Sequence, residues 1–270
     1  MNTKIKRFIS STVSYHDFKK ATEIANELNC GLEISRFGRL IELDENFEKN
    51  KKEYIEILKD FDNEITLHGF FSNLNIAASD PLIRDVSLKR YYQSLELAQC
   101  FDVRTVVFHT CFNNLLKQQS YREIFFLKNI EFYNDFISNF EEAGIMATIE
   151  NVHEKNPELI RNIIATVNSP NLGATLDIGH CNLHSEIPTT SWIKEYGIML
   201  KHMHFHNNFT EEDSHSSLLK GSINIKEILL CLKEMQIYPT VTFEIFDLEE
   251  LKDSIEYFNK TADEIGLQYD

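Results

Sequence analysis

Hydrophobic and polar positions along the chain alternate between two periods. Short runs rich in β-branched and other apolar residues read "KRFISSTV", "GLEISRF", "EITLHGF", "TVVFHTC", "MATIENV", "LGATLDIGH", "LKHMHFH" and "TVTFEIF". Between them lie longer segments whose apolar residues recur at helical spacing. The first two are "DFKKATEIANELN" and "NFEKNKKEYIEILKDF"; later ones span Leu82 to Phe101, Tyr121 to Ala143, Pro157 to Val167 and Ile225 to Met235. The sixth, around Ser191 to Tyr196, carries the weakest pattern, and "DLEELKDSIEYFNKTADEIG" closes the series. Eight strand–helix units in 270 residues match the rhythm of a (β/α)8 barrel, so the chain is expected to be an α/β protein with one TIM-barrel domain over residues 1–270. A doubly wound open sheet is the structural alternative. It would usually need a glycine-rich phosphate turn after its first strand, and "STVSYHDF" has no glycine.

One strand breaks the apolar pattern. In "KHMHFHNN", His202, His204 and His206 alternate with Met203 and Phe205, so on a β-strand the three imidazoles share one face. A solvated polar face and a metal site both fit that stretch alone. In a closed barrel the same face points inward and depth divides the roles. His202 becomes a packed core residue, His204 sits at metal height, and His206 nears the mouth, while Met203 and Phe205 face the helices.

Composition narrows the setting. Apolar residues make up 43% and charged residues 26%, with 9 Gly and 5 Pro, an ordinary globular balance without low-complexity or linker segments. The formal charge of -15 disfavours a partner gripped through phosphate charge, unless basic residues gather on one surface. Cysteines at 30, 100, 111, 181 and 231 are odd in number and lack CxxC spacing, which fits a reducing compartment and a cytoplasmic location. No apolar run has the length of a signal peptide or membrane span, so neither export nor membrane insertion is expected.

A barrel places catalytic groups at the C-terminal ends of its strands. His68 ends strand three, His109 strand four, Glu150 strand five and Asp177 strand six, with His180 just after it; His204 and His206 end strand seven and Glu244 strand eight. Singly, each reads equally well as a hydrogen-bonded core histidine or an acid paired with a base. Together they bring carboxylates and imidazoles to one rim without matching buried Lys or Arg. Such a set repels itself unless a cation holds it, and a divalent metal is the economical answer.

The chain also resembles, from strand one to strand eight, the xylose isomerase-like TIM-barrel superfamily, which holds the sugar phosphate isomerases/epimerases and endonuclease IV. The matching motifs are "LHGFFSNLNIAASDPLIRDVSLKRYYQSLELAQCFDVRTVVFHT", "IENVHEKNPELIRNII", "NLGATLDIGHCNL", "KHMHFHNN" with "DSHSSLLKGSIN", and "TFEIF". The resemblance implies a metal held by Glu150, Asp177, His204 and Glu244, with His206 as the alternative to His204. Endonuclease IV is similar further, since its three-zinc cluster also uses residues matching His68, His109, His180, Asp213 and His215. Many sugar isomerase relatives keep several of these around one metal. The donor set suits zinc or manganese first, and cobalt or magnesium also.

Rim charge separates the two activities, because gripping duplex DNA needs basic side chains near its phosphates. The loops after the strands offer Arg36, Arg39, Lys117, Lys155 and Lys220 against Asp44, Glu45, Asp80, Glu154, Glu186, Glu211, Glu212, Asp213, Asp247, Glu249 and Glu250. A pocket for a small polyol tolerates that balance, so a sugar or sugar-phosphate substrate is expected and nucleic acid is not the expected partner. "SLLKGSIN" departs from the relatives' Gly-x-Gly turn by placing Leu219 at the first glycine.

The expected chemistry is isomerisation or epimerisation of a hydroxy-ketone or hydroxy-aldehyde through a metal-stabilised enediolate, Glu150 and Glu244 serving as acid and base. Glu154 and His180 are candidate partners of substrate hydroxyls, and Arg36 of a substrate phosphate. The alternatives are an endonuclease IV-like zinc enzyme acting on abasic DNA, a dehydratase using the same metal and base, and a non-catalytic barrel. A homodimer is compatible with the sequence, which does not fix the oligomeric state.

Overall fold

The computed structural model describes residues 3–14, 16–38 and 46–270. Eight parallel strands close into a barrel in sequence order: β1 (Lys6–Ser10), β2 (Gly31–Ile34), β3 (Ile65–His68), β4 (Thr105–His109), β5 (Met146–Glu150), β6 (Leu172–Asp177), β7 (Leu200–Phe205) and β8 (Thr240–Phe243). The ring closes where β8 pairs with β1, with Lys6 opposite Thr240 and Ile9 opposite Phe243. Around it run α1 (Phe18–Glu27), α2 (Phe47–Leu58), α3 (Pro81–Cys100), α4 (Gln119–Ala143), α5 (Glu158–Val167), α6 (Ile178–His184), α7 (Thr189–Tyr196), α8 (Ile225–Met235) and α9 (Leu248–Ile265).

Period-two alternation sorts the strand residues into two environments. Leu32, Leu67, Val106, Ile149, Leu176, Met203, Phe205 and Phe243 belong to the apolar core together with residues from the helices. Phe258 of α9, for example, packs edge-on against Phe205 and Phe243, with ring centroids 5.9 and 5.4 Å away. The alternate positions include buried Glu33, Thr66, Thr148, Thr175, His202, His204 and Thr242. The barrel interior is therefore polar, and hydrogen bonds fill it: Thr175 donates to the Thr148 hydroxyl at 2.7 Å, and Thr148 to the carbonyl of Val106 at 3.3 Å.

An irregularity between β6 and β7 sets the face of the histidine strand. Ala174 lies opposite Leu200, yet Thr175 lies opposite His202, so Lys201 is skipped; Asp177 then lies opposite His204. Without that skipped residue Asp177 would face Met203, because a one-residue slip turns every side chain to the other face.

Two elements differ from the sequence expectation. The first strand stops at Ser10, and Ser11–Ser14 form a 3-10 turn instead of extending it. After β6 the chain turns at once into α6, whose first turn is capped by Asp177, its carboxylate accepting the backbone N–H of His180 at 2.7 Å. Gly179 in that turn has to be glycine for space, because a Cβ there would lie 1.9 Å from Cε1 of His206.

Candidate metal centre

The C-terminal strand ends converge on His204. Its Nδ1 lies 3.3 Å from Glu150 Oε1, 3.6 Å from Asp177 Oδ2 and 3.6 Å from Glu244 Oε2. Glu150 ends β5, Asp177 ends β6 and Glu244 directly follows β8, so three strands aim carboxylates at one imidazole nitrogen of a fourth. All four residues are buried, Asp177 and His204 completely.

Two further groups flank this one. His68 Nε2 and His109 Nε2 lie 3.4 and 3.2 Å from the other oxygen of Glu150. On the opposite side His206 Nε2 lies 3.1 Å from Asp177 Oδ1, and Asp213 Oδ2 lies 3.2 Å from Nε2 of both His180 and His215. Backbone carbonyls orient three of these rings: Nδ1 of His68 lies 3.0 Å from the carbonyl of Gly69, that of His180 3.1 Å from Asn151, and that of His215 2.9 Å from Glu244. With Nδ1–H donating to a carbonyl, each ring leaves its Nε2 lone pair for the cluster. His215 is further sandwiched between His206 and Phe246, at centroid distances of 4.1 and 4.5 Å.

Electrostatics tie the groups together. Burial alone would raise the carboxyl of Glu150, but His109 and His204 hold it well below the ordinary range; His180 and His206 do the same for Asp177. Burial would lower His204, yet Glu244, Glu33 and Glu150 keep it well above its ordinary value. His68 is raised against burial by Glu150, whereas burial prevails at His109 and lowers it. His215 is raised to about 9 against burial, chiefly by Asp213.

The residues fit a divalent cation. His206 Nδ1 is buried without a hydrogen-bond partner, and Glu150 Oε2 has only the imidazoles of His68 and His109 beside it, neither in good hydrogen-bond geometry. Among the described residues the buried basic side chains are Arg7 and Arg90, which bond Asn259 and Gln93 at 2.8 Å, away from the cluster. Carboxylates this deep need either protonated imidazoles or a cation beside them.

Other candidate residues lie differently. Glu154 is buried, but Thr110 donates to one of its oxygens and the backbone N–H groups of Val152 and His153 donate to the other at 2.7 and 3.2 Å. It therefore clamps its own loop through both oxygens. Arg36 opens the 3-10 turn Arg36–Gly38 after β2 and is half-buried. Of the rim bases, Lys155 pairs with Glu186, and Lys220 with Glu250 at 2.6 Å. Arg39, Asp44 and Glu45 lie outside the described residues. Leu219 is exposed at the first glycine position of its turn, while Gly221 is confined, since a Cβ there would lie 2.0 Å from Asn207 Oδ1.

The sequence reading missed Glu33. This fully buried carboxylate on β2 lies 3.2 Å from the far nitrogen of His204 and 2.9 Å from Nε2 of His202. Its signal was a lone charge between Leu32 and Ile34 in a strand of only four residues.

Residues 33–261 match the family described as xylose isomerase-like TIM barrel. The chain belongs to that family. MJ1311, an uncharacterized protein of Methanocaldococcus jannaschii, is 28% identical over 230 residues, covering 80% of this chain and 78% of its own. Among solved structures, a D-tagatose 3-epimerase-like protein superposes with a TM-score of 0.82 at 24% identity, over 97% of this chain and 98% of that one. D-psicose 3-epimerase from Clostridium cellulolyticum H10, solved with D-tagatose, gives 0.76 at 17% identity, over 95% and 99%. At these identities the structural likeness speaks for the fold.

Proposed function

We propose that this protein is a divalent-metal-dependent isomerase or epimerase of a small sugar or sugar phosphate. The observation that carries the reading is the approach of Glu150, Asp177 and Glu244 oxygens to one buried nitrogen of His204, at 3.3 to 3.6 Å. These four residues would hold the ion. The naming of two structural neighbours as 3-epimerases or epimerase-like supports the substrate class. A cavity of about 600 Å³ opens beside His109, with Phe71, Leu74, Phe112, Asn113 and His153 in its wall; it is ample for a ketose and reaches the centre through His109, the four ligands themselves lying outside its wall.

A bound divalent ion would supply polarisation of a carbonyl and its neighbouring hydroxyl, stabilising the negative charge that proton loss creates. Glu150 and Glu244 reach the site from different strands and can serve opposite sides of one carbon. One carboxylate removes the proton there; its replacement on the same carbon from the opposite face by the other gives epimerisation, whereas delivery to the neighbouring carbon, with the hydroxyl proton passing between the two oxygens, gives an aldose–ketose shift.

Purified protein incubated with a panel of ketoses in deuterium oxide tests this reading. Exchange at carbon is expected with the wild type and is expected to fall by about 100-fold or more in Glu150→Gln and Glu244→Gln. Equal exchange in both variants would remove the two carboxylates from the mechanism. Loss of water from the ketose would instead mark a dehydratase.

A second reading is endonuclease IV-like hydrolysis of abasic DNA. The flanking donor groups, His68 with His109 and His180 with Asp213 and His215, favour it because they could hold further ions. The acidic rim, with Lys155 and Lys220 already paired to acids, opposes it. Cleavage of an abasic duplex without ketose exchange would select it.

A further inference from the structure

Behind the candidate metal centre, inside the barrel, Glu33 is held from several sides. Its Oε2 accepts the hydroxyls of Thr66 and Thr242 at 3.1 and 2.9 Å, and Nε2 of His202 lies 2.9 Å from the same oxygen. His202 is fixed in turn, its Nε2 lying 3.1 Å from the Thr242 hydroxyl and its Nδ1 against Thr240. The other oxygen, Oε1, has no hydrogen-bond partner of good geometry, and neither has His204 Nε2; the two lie 3.2 Å apart, fully buried. With no other partner for either atom, an Nε2–H on His204 turned toward Oε1 would satisfy both.

Glu33, His202 and His204 could be taken for a metal site of their own, since one donor atom from each falls within a 4.8 Å cluster. Three features oppose it. Glu33 Oε2 is already surrounded by three donors. All three residues are sealed from solvent. His204 would also have to commit both ring nitrogens, one to each of two ions.

We infer that Glu33 is a positioning residue, which accepts the Nε2 proton of His204 and thereby turns the Nδ1 lone pair toward Glu150, Asp177 and Glu244. The inference rests on the metal-centre reading above. A histidine ligand whose second nitrogen donates to a carboxylate is locked in one tautomer and one ring orientation, and is a stronger donor to the ion.

Substituting Glu33→Gln exposes the role, because one amide end accepts and the other donates. The site of Oε2, facing three donors, favours the amide oxygen. The amide N–H2 then faces His204 Nε2, which can no longer keep its proton there. His204 is forced toward the tautomer that points a proton into the centre.

The test compares wild type, Glu33→Gln and Asp177→Asn by competitive titration with zinc and by the visible spectrum of the cobalt-loaded protein. Wild type is expected to bind tightly, and Glu33→Gln to lose about 10- to 100-fold in affinity with a shifted cobalt spectrum. Unchanged affinity and spectrum in Glu33→Gln would overturn the assignment while leaving the metal centre standing. No binding by wild type, or binding untouched by Asp177→Asn, would overturn the metal-centre reading itself. Should Glu33→Gln not fold, nitrogen-15 spectra of the metal-loaded wild type decide. A slowly exchanging Nε2 proton on His204 supports the role, and an Nδ1–H tautomer refutes it.

Discussion

At the scale of single residues, small changes of volume should be felt at the centre. A methyl group at Gly179 would occupy space now filled by the His206 ring. Gly179→Ala is expected to cost about 1–3 kcal/mol in urea unfolding. His206 is also expected to leave Asp177, lowering the metal bound per chain in elemental analysis. The cysteines give a second residue-level test. Cys100 is exposed, whereas Cys30 and Cys181 are buried. Cys111, half-buried at the mouth, has its thiol pushed up to about 12 by burial and by Glu154. A chromogenic disulfide reagent at pH 8 should therefore find one fast thiol, lost in Cys100→Ser, and only slow reaction elsewhere. The strand-end acids and histidines were legible in the sequence because each closes an apolar run. Glu33 was not, since a four-residue strand gives too little alternation to reveal its inward face. The loop partners of Glu154, Thr110 and two backbone amides, could not be read, because they depend on how the chain turns after β4 and β5.

At the scale of elements, the amphipathic helices and the eight strands could be read directly, and the barrel rhythm followed from them. Helix α6 could not be read, because seven residues starting directly after the last residue of a strand offer no stretch long enough to show helical periodicity. Nor could the skipped residue between β6 and β7, which depends on pairing between segments. Where a cap is visible its worth can be measured. Asp247 accepts the backbone N–H groups of Glu249 and Glu250, both at 3.0 Å, at the start of α9. Replacing it by Ala is expected to destabilise the fold by about 1 kcal/mol in urea unfolding. The centre should be spared, since α9 reaches the barrel through Phe258 packed on β7 and β8.

At the scale of the whole molecule, buried acids and imidazoles from β3 to β8 meet at one end of the barrel, and a cation there would join strands that otherwise repel. Treatment with a chelator is therefore expected to lower the thermal midpoint, and adding zinc back to restore it. At a free ion concentration 100 times Kd, binding contributes about 2.7 kcal/mol of stability. A midpoint that ignores both treatments would count against a cation in the centre. No described helix is long and apolar enough to cross a membrane. The pairing of β8 with β1 carries a further consequence for association. Every strand of the barrel already has a neighbour on both sides, so no open sheet margin offers a ladder to which a second chain could add. Templated strand growth, the route by which many sheets dimerise or form fibres, is closed to the intact barrel. Any partner, including another copy of this chain, has to dock on the outer helices and loops.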